Sequence, residues 1–200
     1  MFNRTLSPEV FISATCKAAW YHTRNISRVR DSLTEESAKI LMQAYVMSKI
    51  DYCNSLLYGA PGKQLVRLQK VQNFAARVIR RVPKRCHITP ELKALHWLPV
   101  RQRIKYKTLL FAYKSLHGLA PKYLSDLLVP YVPGRSLRSA HKDLLVVPSF
   151  NLQQYGGRAF VCATPPLWNA LPQEVKSAAS VDMFKSRLKT HLFRCAFIDP

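Results

Sequence analysis

The sequence predicts a mainly α-helical protein, with a bundle of helices followed by a less regular C-terminal segment that ends in one more helix. Apolar residues recur at helical spacing in several long segments. Residues that start and stop helices flank most of those segments. After residue 120 the pattern changes to proline-rich stretches, which favour irregular structure.

Two helices are predicted within the first 60 residues, over 7–30 and 32–59. At the start of the second, Ser32 and Glu35 have the spacing of a capping box. Glu35 also favours a helix start because the N-terminal end of a helix has partial positive charge. A glycine and a proline at positions 59 and 61 predict where this helix ends.

A third helix is predicted over residues 63–82, because Pro83 disfavours helical geometry in the residue before it. Thr89 and Pro90 form a cap and first-turn pair for a short fourth helix.

A fifth helix is predicted to begin at Pro99 and to end at Gly118. Apolar residues cover most of its circumference, so we expect it to lie inside the core. Trp97 and His96 precede it, and we expect both to be structural, with the tryptophan filling the joint between two helices.

The C-terminal segment combines two proline-rich stretches, 128–136 and 162–172, with a short apolar run at 143–150 that is typical of extended structure. A terminal helix then starts at Ser180. Its predicted apolar stripe consists of Met183, Phe184, Leu188, Leu192 and Phe193. These patterns divide the chain into a helical region, residues 1–120, and a C-terminal segment, residues 121–200.

Charge limits the possible functions more than the motifs do. The chain has 31 Lys and Arg against 11 Asp and Glu, a formal net charge of +20. Residues 61–114 alone contain 14 basic side chains and one acidic side chain. An excess of this size favours a polyanionic partner, RNA or DNA, over a merely solvated basic surface. The sequence contains neither an apolar run of membrane-spanning length nor a secretory signal pattern, so we expect a nuclear or cytoplasmic protein without a membrane partner.

The predicted third helix has two unlike faces. Leu65, Leu68, Val71, Ala75, Ile79 and Val82 share one side. Lys63, Arg67, Lys70, Arg77 and Arg81 share the other. Basic side chains at this spacing suit a phosphate backbone. Phe74 lies among them, where it either stacks on a base or packs on a neighbouring helix; packing is the commoner role of a helical aromatic residue.

Catalytic and metal-binding patterns are missing from the sequence. No phosphate-binding glycine loop, no hydrolase nucleophile motif and no zinc-protease motif is present. Cys86, His87 and His96 form at most a partial metal set, without a second ligand pair. The five cysteines are widely spaced, without a C-x-x-C pair, which argues against both a disulfide framework and a zinc ribbon. We therefore expect no cofactor and no metal.

Six segments resemble successive blocks of one protein family. They are SKIDYCNSLLYGAP, RLQKVQNFAARVI, HITPELKALHWLPVRQRIKYKTLLFAYKSLHGLAPKYLSDLL, RSLRSAHKDLLVVPSF, YGGRAFVCATPPLWNALP and SVDMFKSRLKTHLF. In this order they are similar to the region after the palm in LINE-type, non-LTR retrotransposon reverse transcriptases of the jockey superfamily. The stretch FISATCKAAWYHTRNISRVRDSLT is similar to the first helices of the polymerase thumb in that family.

The resemblance implies a thumb and C-terminal region that holds template RNA, primer hybrid or target DNA. In the family, polymerase chemistry belongs to the palm and its Asp-Asp motif, and this sequence contains no Asp-Asp pair. We therefore expect a non-catalytic chain, with palm and fingers of a parent polymerase as possible partners. The predicted nucleic-acid contacts are Lys63, Arg67, Lys70, Arg77, Arg80, Arg81, Lys84, Arg85, Arg101 and Arg103.

Two alternatives to nucleic-acid binding stay open on the sequence. One is a helical protein-interaction module in which Trp97 and Trp168 contribute to a partner surface. The other is an inactive transposon relic that does not fold without the palm against which it once packed, and exposed apolar surface would favour it.

Overall fold

The computed structural model describes residues 7–133, 143–149 and 156–198. Helices dominate these residues, and the β-structure among them is a single antiparallel bridge between Pro130 and Leu145. The predicted mainly α class is confirmed. The apolar run at 143–150 is extended as far as it is described. The proline-rich stretch 128–136 is irregular over its described residues, 128–133, apart from the bridge at Pro130, and residues 134–136 lie outside the described part.

The described α-helices are numbered here in chain order. They are α1 (Glu9–Arg28), α2 (Glu35–Met42), α3 (Ser48–Asp51), α4 (Gly62–Arg80), α5 (Thr89–Ala94), α6 (Val100–Leu116), α7 (Lys122–Ser125), α8 (Phe160–Asn169), α9 (Gln173–Lys176) and α10 (Val181–Phe197). Short 3₁₀ helices lie at Arg30–Ser32, Asn54–Leu57 and Gly156–Arg158. A π-helical segment, Gln43–Met47, joins α2 to α3 without a break.

The second predicted helix differs from the prediction at both ends. Its first helical residue is Glu35, after the 3₁₀ helix Arg30–Ser32. The N-cap is Thr34, whose hydroxyl accepts a hydrogen bond from the backbone N–H of Ser37 at 3.1 Å. Ser32 is therefore not the N-cap. The helix ends at Asp51, ahead of the predicted stop at Gly59, because Cys53 adopts a left-handed conformation with φ 50°.

Two boundaries around α4 also shift by one or two residues. α4 ends at Arg80 because Arg81, with φ 54°, takes the left-handed conformation that closes a helix. Thr89, predicted as a cap, is instead the first residue of α5, and Ile88 is at the cap position.

α1 to α5 and the beginning of α6 enclose a first hydrophobic cluster. Within it, α1 packs along α4, and Trp97 is buried at the joint before α6, as predicted. Two glutamines of α4 fix the start of α6: Gln72 donates to the Leu98 carbonyl at 2.9 Å, and Gln69 accepts from the Val100 N–H at 2.8 Å. His96, also predicted to be structural, is exposed, and its ring lies beside the Phe193 ring of α10 with 5.8 Å between centroids.

α6 lies inside the core along most of its length, which confirms the prediction made from its apolar circumference. Val100 and Ile104, in its first half, belong to the first cluster. Leu109, Ala112 and Tyr113, in its second half, belong to a second cluster with α8, α9 and α10. The division of the chain near residue 120 stays a prediction, since the helix before it belongs to both clusters.

The segment 162–172 was predicted to be irregular, and this prediction is wrong. Most of it belongs to α8, with Pro165 and Pro166 inside the helix. Each proline removes a backbone donor, but the ring fixes φ near the helical value, and burial against α6 offsets the lost hydrogen bonds. Trp168 anchors this packing: it is 2% exposed, and its indole N–H donates to the Asp143 carbonyl at 2.8 Å.

The terminal helix α10 begins as predicted. The Ser180 hydroxyl accepts from the backbone N–H of Met183 at 3.2 Å and caps the helix. Of the predicted apolar stripe, the residues that are fully buried are Phe184, Leu188 and Leu192. The Phe184 ring stacks on Tyr113 with 4.2 Å between ring centroids, which ties α10 to α6.

Candidate nucleic-acid interface

α4 places its two faces as the helical periodicity predicts. The buried side comprises Leu65, Leu68, Val71, Gln72, Ala75, Ala76 and Ile79. It packs on α1 and on the other helices of the first cluster. Val82, predicted for the same face, lies beyond the end of the helix and is half-buried. The basic side chains are therefore left on the side that faces away from the core.

The first three predicted contacts on α4 are exposed. Arg67 donates to the Ser13 hydroxyl of α1 at 3.0 Å, a contact that positions the guanidinium without neutralising its charge. Lys63 and Lys70 have no carboxylate oxygen within 4 Å in the described part of the chain. Their charges are available to an external anion.

The predicted contact residues near the end of α4 already have partners within the chain. Arg80 forms ion pairs with Glu35 at 2.7 Å and with Glu91 at 3.1 Å. The hydrogen bond from Arg80 to Glu35 is the largest cause of the raised pKa of Arg80, followed by the one to Glu91. Arg80 thus ties α2 and α5 to α4, and contact with nucleic acid would compete with these two ion pairs.

Arg77 and Arg81 also have partners, but these are mostly carbonyls. Arg77 is half-buried and donates to the Cys86 carbonyl at 3.1 Å. Arg81 donates to the Arg30 carbonyl at 3.1 Å and lies 3.7 Å from the exposed carboxylate of Asp31. A carbonyl orients a guanidinium without cancelling its charge, so both side chains keep most of their positive field.

The remaining predicted contacts lie in three places. Lys84 and Arg85 are exposed in the loop after α4. Arg101 is exposed at the start of α6, beside the first turn of α4. Arg103 is different, because it is mostly buried and forms a two-point ion pair with Asp51 in a separate cavity.

A groove of about 750 Å³ runs between α1 and α4 and gathers part of the predicted set. Its basic lining residues are Arg30, Lys70, Arg77, Arg81 and Lys84. Its acidic lining residue is Asp31. Hereafter the groove lined by these six residues and by the rings of Trp20 and Phe74 is called the α4 groove. Five cations against one carboxylate give the groove a positive potential that attracts anions.

Two aromatic side chains form the apolar part of the α4 groove. Phe74 packs on Trp20 of α1, with 5.1 Å between ring centroids. This contact supports the packing alternative for Phe74. Both rings are only half-buried, so their remaining surface lines the groove beside the cations.

Arg30 is a groove residue that the sequence did not reveal. It is 8% exposed, and its guanidinium donates to the carbonyls of Val78 at 3.0 Å, Ile79 at 2.8 Å and Leu33 at 2.6 Å. The first two belong to the last turn of α4, where carbonyls lack intrahelical donors. Arg30 therefore closes the end of α4 as well as contributing charge.

The predicted partial metal set is not assembled. Among the described residues, no three His, Cys, Asp or Glu side chains are grouped closely enough to hold a metal ion. Cys86, His87 and His96 therefore do not form a metal site there. In the same part of the chain, no helix combines the length and the apolarity needed to cross a bilayer.

The chain matches no protein-family model, no curated protein and no solved structure.

Proposed function

We propose that this chain binds RNA or DNA through phosphate contacts, as the non-catalytic thumb and C-terminal region of a LINE-type reverse transcriptase would. The observation that supports the proposal is the α4 groove, which is lined by five cations, two aromatic rings and a single carboxylate. Cations follow the phosphates, and partly exposed rings suit the bases of an unpaired strand. Binding of this kind depends on backbone charge rather than on sequence.

The protein-interaction alternative is less well supported. Trp97 and Trp168 are 5% and 2% exposed, so they contribute to a partner surface only if the core opens. Their burial leaves this alternative with the exposed helix faces alone as its basis.

The test replaces three exposed lysines of α4 and the following loop that hold no ion pair in the described part of the chain: Lys63→Glu, Lys70→Glu and Lys84→Glu. Fluorescence anisotropy with a labelled RNA hairpin and a matched DNA duplex, between about 50 and 200 mM salt, measures affinity and its salt dependence. Each lost phosphate contact removes about one unit from the slope of log affinity against log salt. We expect weaker binding across unrelated sequences and a flatter slope.

The matched control reverses three exposed cations elsewhere, Lys49→Glu, Lys122→Glu and Arg194→Glu, with the same change in net charge. We expect it to retain most of the affinity and the slope. Equal losses in the two triple variants would show that only net charge matters and would contradict the groove. A soluble, folded wild-type chain that binds neither polymer would contradict the proposed function, and a chain that aggregates would support the inactive relic.

A further inference from the structure

A second cavity, of about 500 Å³, is lined by residues of α2, α6 and α10. Its ionisable lining residues, apart from His96, are Lys39, Asp51, Arg103, Tyr106, Lys107 and Lys189. None of these lines the α4 groove. Four cations from three separate helices therefore surround one cavity with a single carboxylate.

That carboxylate is already satisfied. Arg103 donates from Nε to Asp51 Oδ1 at 2.7 Å and from a second nitrogen to Asp51 Oδ2. Asn54, 2% exposed, adds a third hydrogen bond from its amide nitrogen to Oδ1 at 3.2 Å. The Asp51 charge is thus offset by Arg103, and it does little to neutralise the lysines.

The three lysines remain as net positive charge around the cavity. Lys107 and Lys189 have no carboxylate oxygen within 4 Å in the described part of the chain. Lys39 has only a contact of 3.7 Å with Glu36, whose side chain is 71% exposed and screened by water. Cations gathered around a cavity repel one another, and a bound anion would relieve that repulsion.

The shape of the cavity suits more than a bare anion. Its volume falls in the range of about 300 to 1,000 Å³ that is typical of small-molecule sites. Tyr106 and His96 supply ring surface on its walls. Two backbone irregularities border it: His96 has a left-handed φ of 51°, and Gln43 begins the π-helical segment. Both kinds of irregularity are commoner at functional sites than elsewhere.

We propose that this cavity binds a nucleotide through its phosphate monoester. Lys39, Lys107 and Lys189 contact the phosphoryl oxygens, and the ring surfaces hold the nucleoside. A monoester is close to a dianion at neutral pH, so it matches several converging cations better than a carboxylate does. A free mononucleotide and the phosphorylated end of a nucleic-acid strand both present this chemistry.

Isothermal titration calorimetry on the whole chain tests the site with AMP, adenosine and inorganic phosphate. We expect AMP to bind more tightly than either component alone. In the double variant Lys107→Glu, Lys189→Glu the affinity for AMP falls by about tenfold or more, because attraction to the dianion becomes repulsion. The control Lys49→Glu, Lys122→Glu, with the same charge change outside the cavity, stays within about twofold of wild type.

AMP affinity that is equal in the two double variants would overturn the proposal. So would adenosine binding as tightly as AMP, or inorganic phosphate binding as tightly as AMP. Circular dichroism confirms that the variants fold, which we expect because Lys189 is exposed and Lys107 half-buried.

Two further ligands identify the source of the phosphate, a short single-stranded oligonucleotide with a terminal phosphate and the same strand with a terminal hydroxyl. Tighter binding of the phosphorylated strand, lost in Lys107→Glu, Lys189→Glu, supports a strand end. Tighter binding of AMP than of either strand supports a free nucleotide. The triple variant Lys63→Glu, Lys70→Glu, Lys84→Glu changes no residue of this cavity and is expected to bind AMP as wild type does, so failure of either proposal leaves the other testable.

Discussion

The guanidinium of Arg30 occupies the C-terminal end of α4, where it donates to two helix carbonyls and to the Leu33 carbonyl. A cation at this end of a helix also interacts favourably with the partial negative charge there. Since Arg30 is almost fully buried, the hydrogen bonds offset the cost of removing its charge from water.

Replacing Arg30 by Met keeps the aliphatic stem and removes the donors. We expect the free energy of unfolding to fall by about 3 kcal/mol, because the buried Ile79 carbonyl and the part-buried Val78 carbonyl are left without this donor. Urea denaturation followed by circular dichroism measures the change. Arg28→Met is the control, since Arg28 is exposed on the last turn of α1 and its loss is expected to change stability by less than about 0.5 kcal/mol. Similar effects of the two substitutions would contradict the helix-end role of Arg30.

How much of the candidate site is predictable differs from residue to residue. The outward position of Lys63, Arg67 and Lys70 follows from helical periodicity, which is a local property. The partners of the other cations are not local: Arg80 pairs with Glu35, and Arg103 pairs with an acid 52 residues earlier in the chain. Such pairs arise from the packing of helices, and the sequence separation of the two residues does not predict them.

At the scale of elements, the start of α2 depends on one hydroxyl. The Thr34 side chain satisfies the backbone N–H of Ser37, one of the four N–H groups at a helix start that lack intrahelical partners. Ser32, which has the capping-box spacing to Glu35, lies in the 3₁₀ helix Arg30–Ser32 instead. Two hydroxyl residues so close together are hard to tell apart from sequence.

Thr34→Ala is expected to lower the free energy of unfolding by about 1 kcal/mol, the usual effect of losing an N-cap. Ser32→Ala, on an exposed side chain two residues earlier, is expected to leave stability almost unchanged. Thermal or urea unfolding of both variants decides between the two caps. A larger loss in the Ser32 variant would restore the sequence-based assignment and contradict the structure.

The elements that the sequence predicts best are the long ones. α1, α4, α6 and α10 were expected within a few residues of their bounds, because each repeats its apolar positions over several turns. α8 was not expected, since two prolines are a strong local signal against a helix. Its stability comes from burial against α6 in the second cluster, a tertiary effect that local patterns do not contain.

At the scale of the molecule, α6 connects the two hydrophobic clusters. Ile104 packs in the first cluster and Leu109 in the second, little more than one helical turn apart. Unfolding either cluster exposes one half of α6 and removes support from the other half. Both clusters are therefore expected to unfold together, although the sequence divides the chain near residue 120.

Ile104→Ala and Leu109→Ala test this coupling, since each removes buried methyl groups and is expected to cost about 3 kcal/mol. We expect each variant to show one transition, with circular dichroism and tryptophan fluorescence coinciding, because Trp97 reports on the first cluster and Trp168 on the second. Leu119→Ala is the control, as Leu119 is 57% exposed and its loss costs little. A helix shared by two cores transmits the loss of either core to the other. Two separate transitions, with each variant shifting only one of them, would therefore contradict the coupling and favour two independent units.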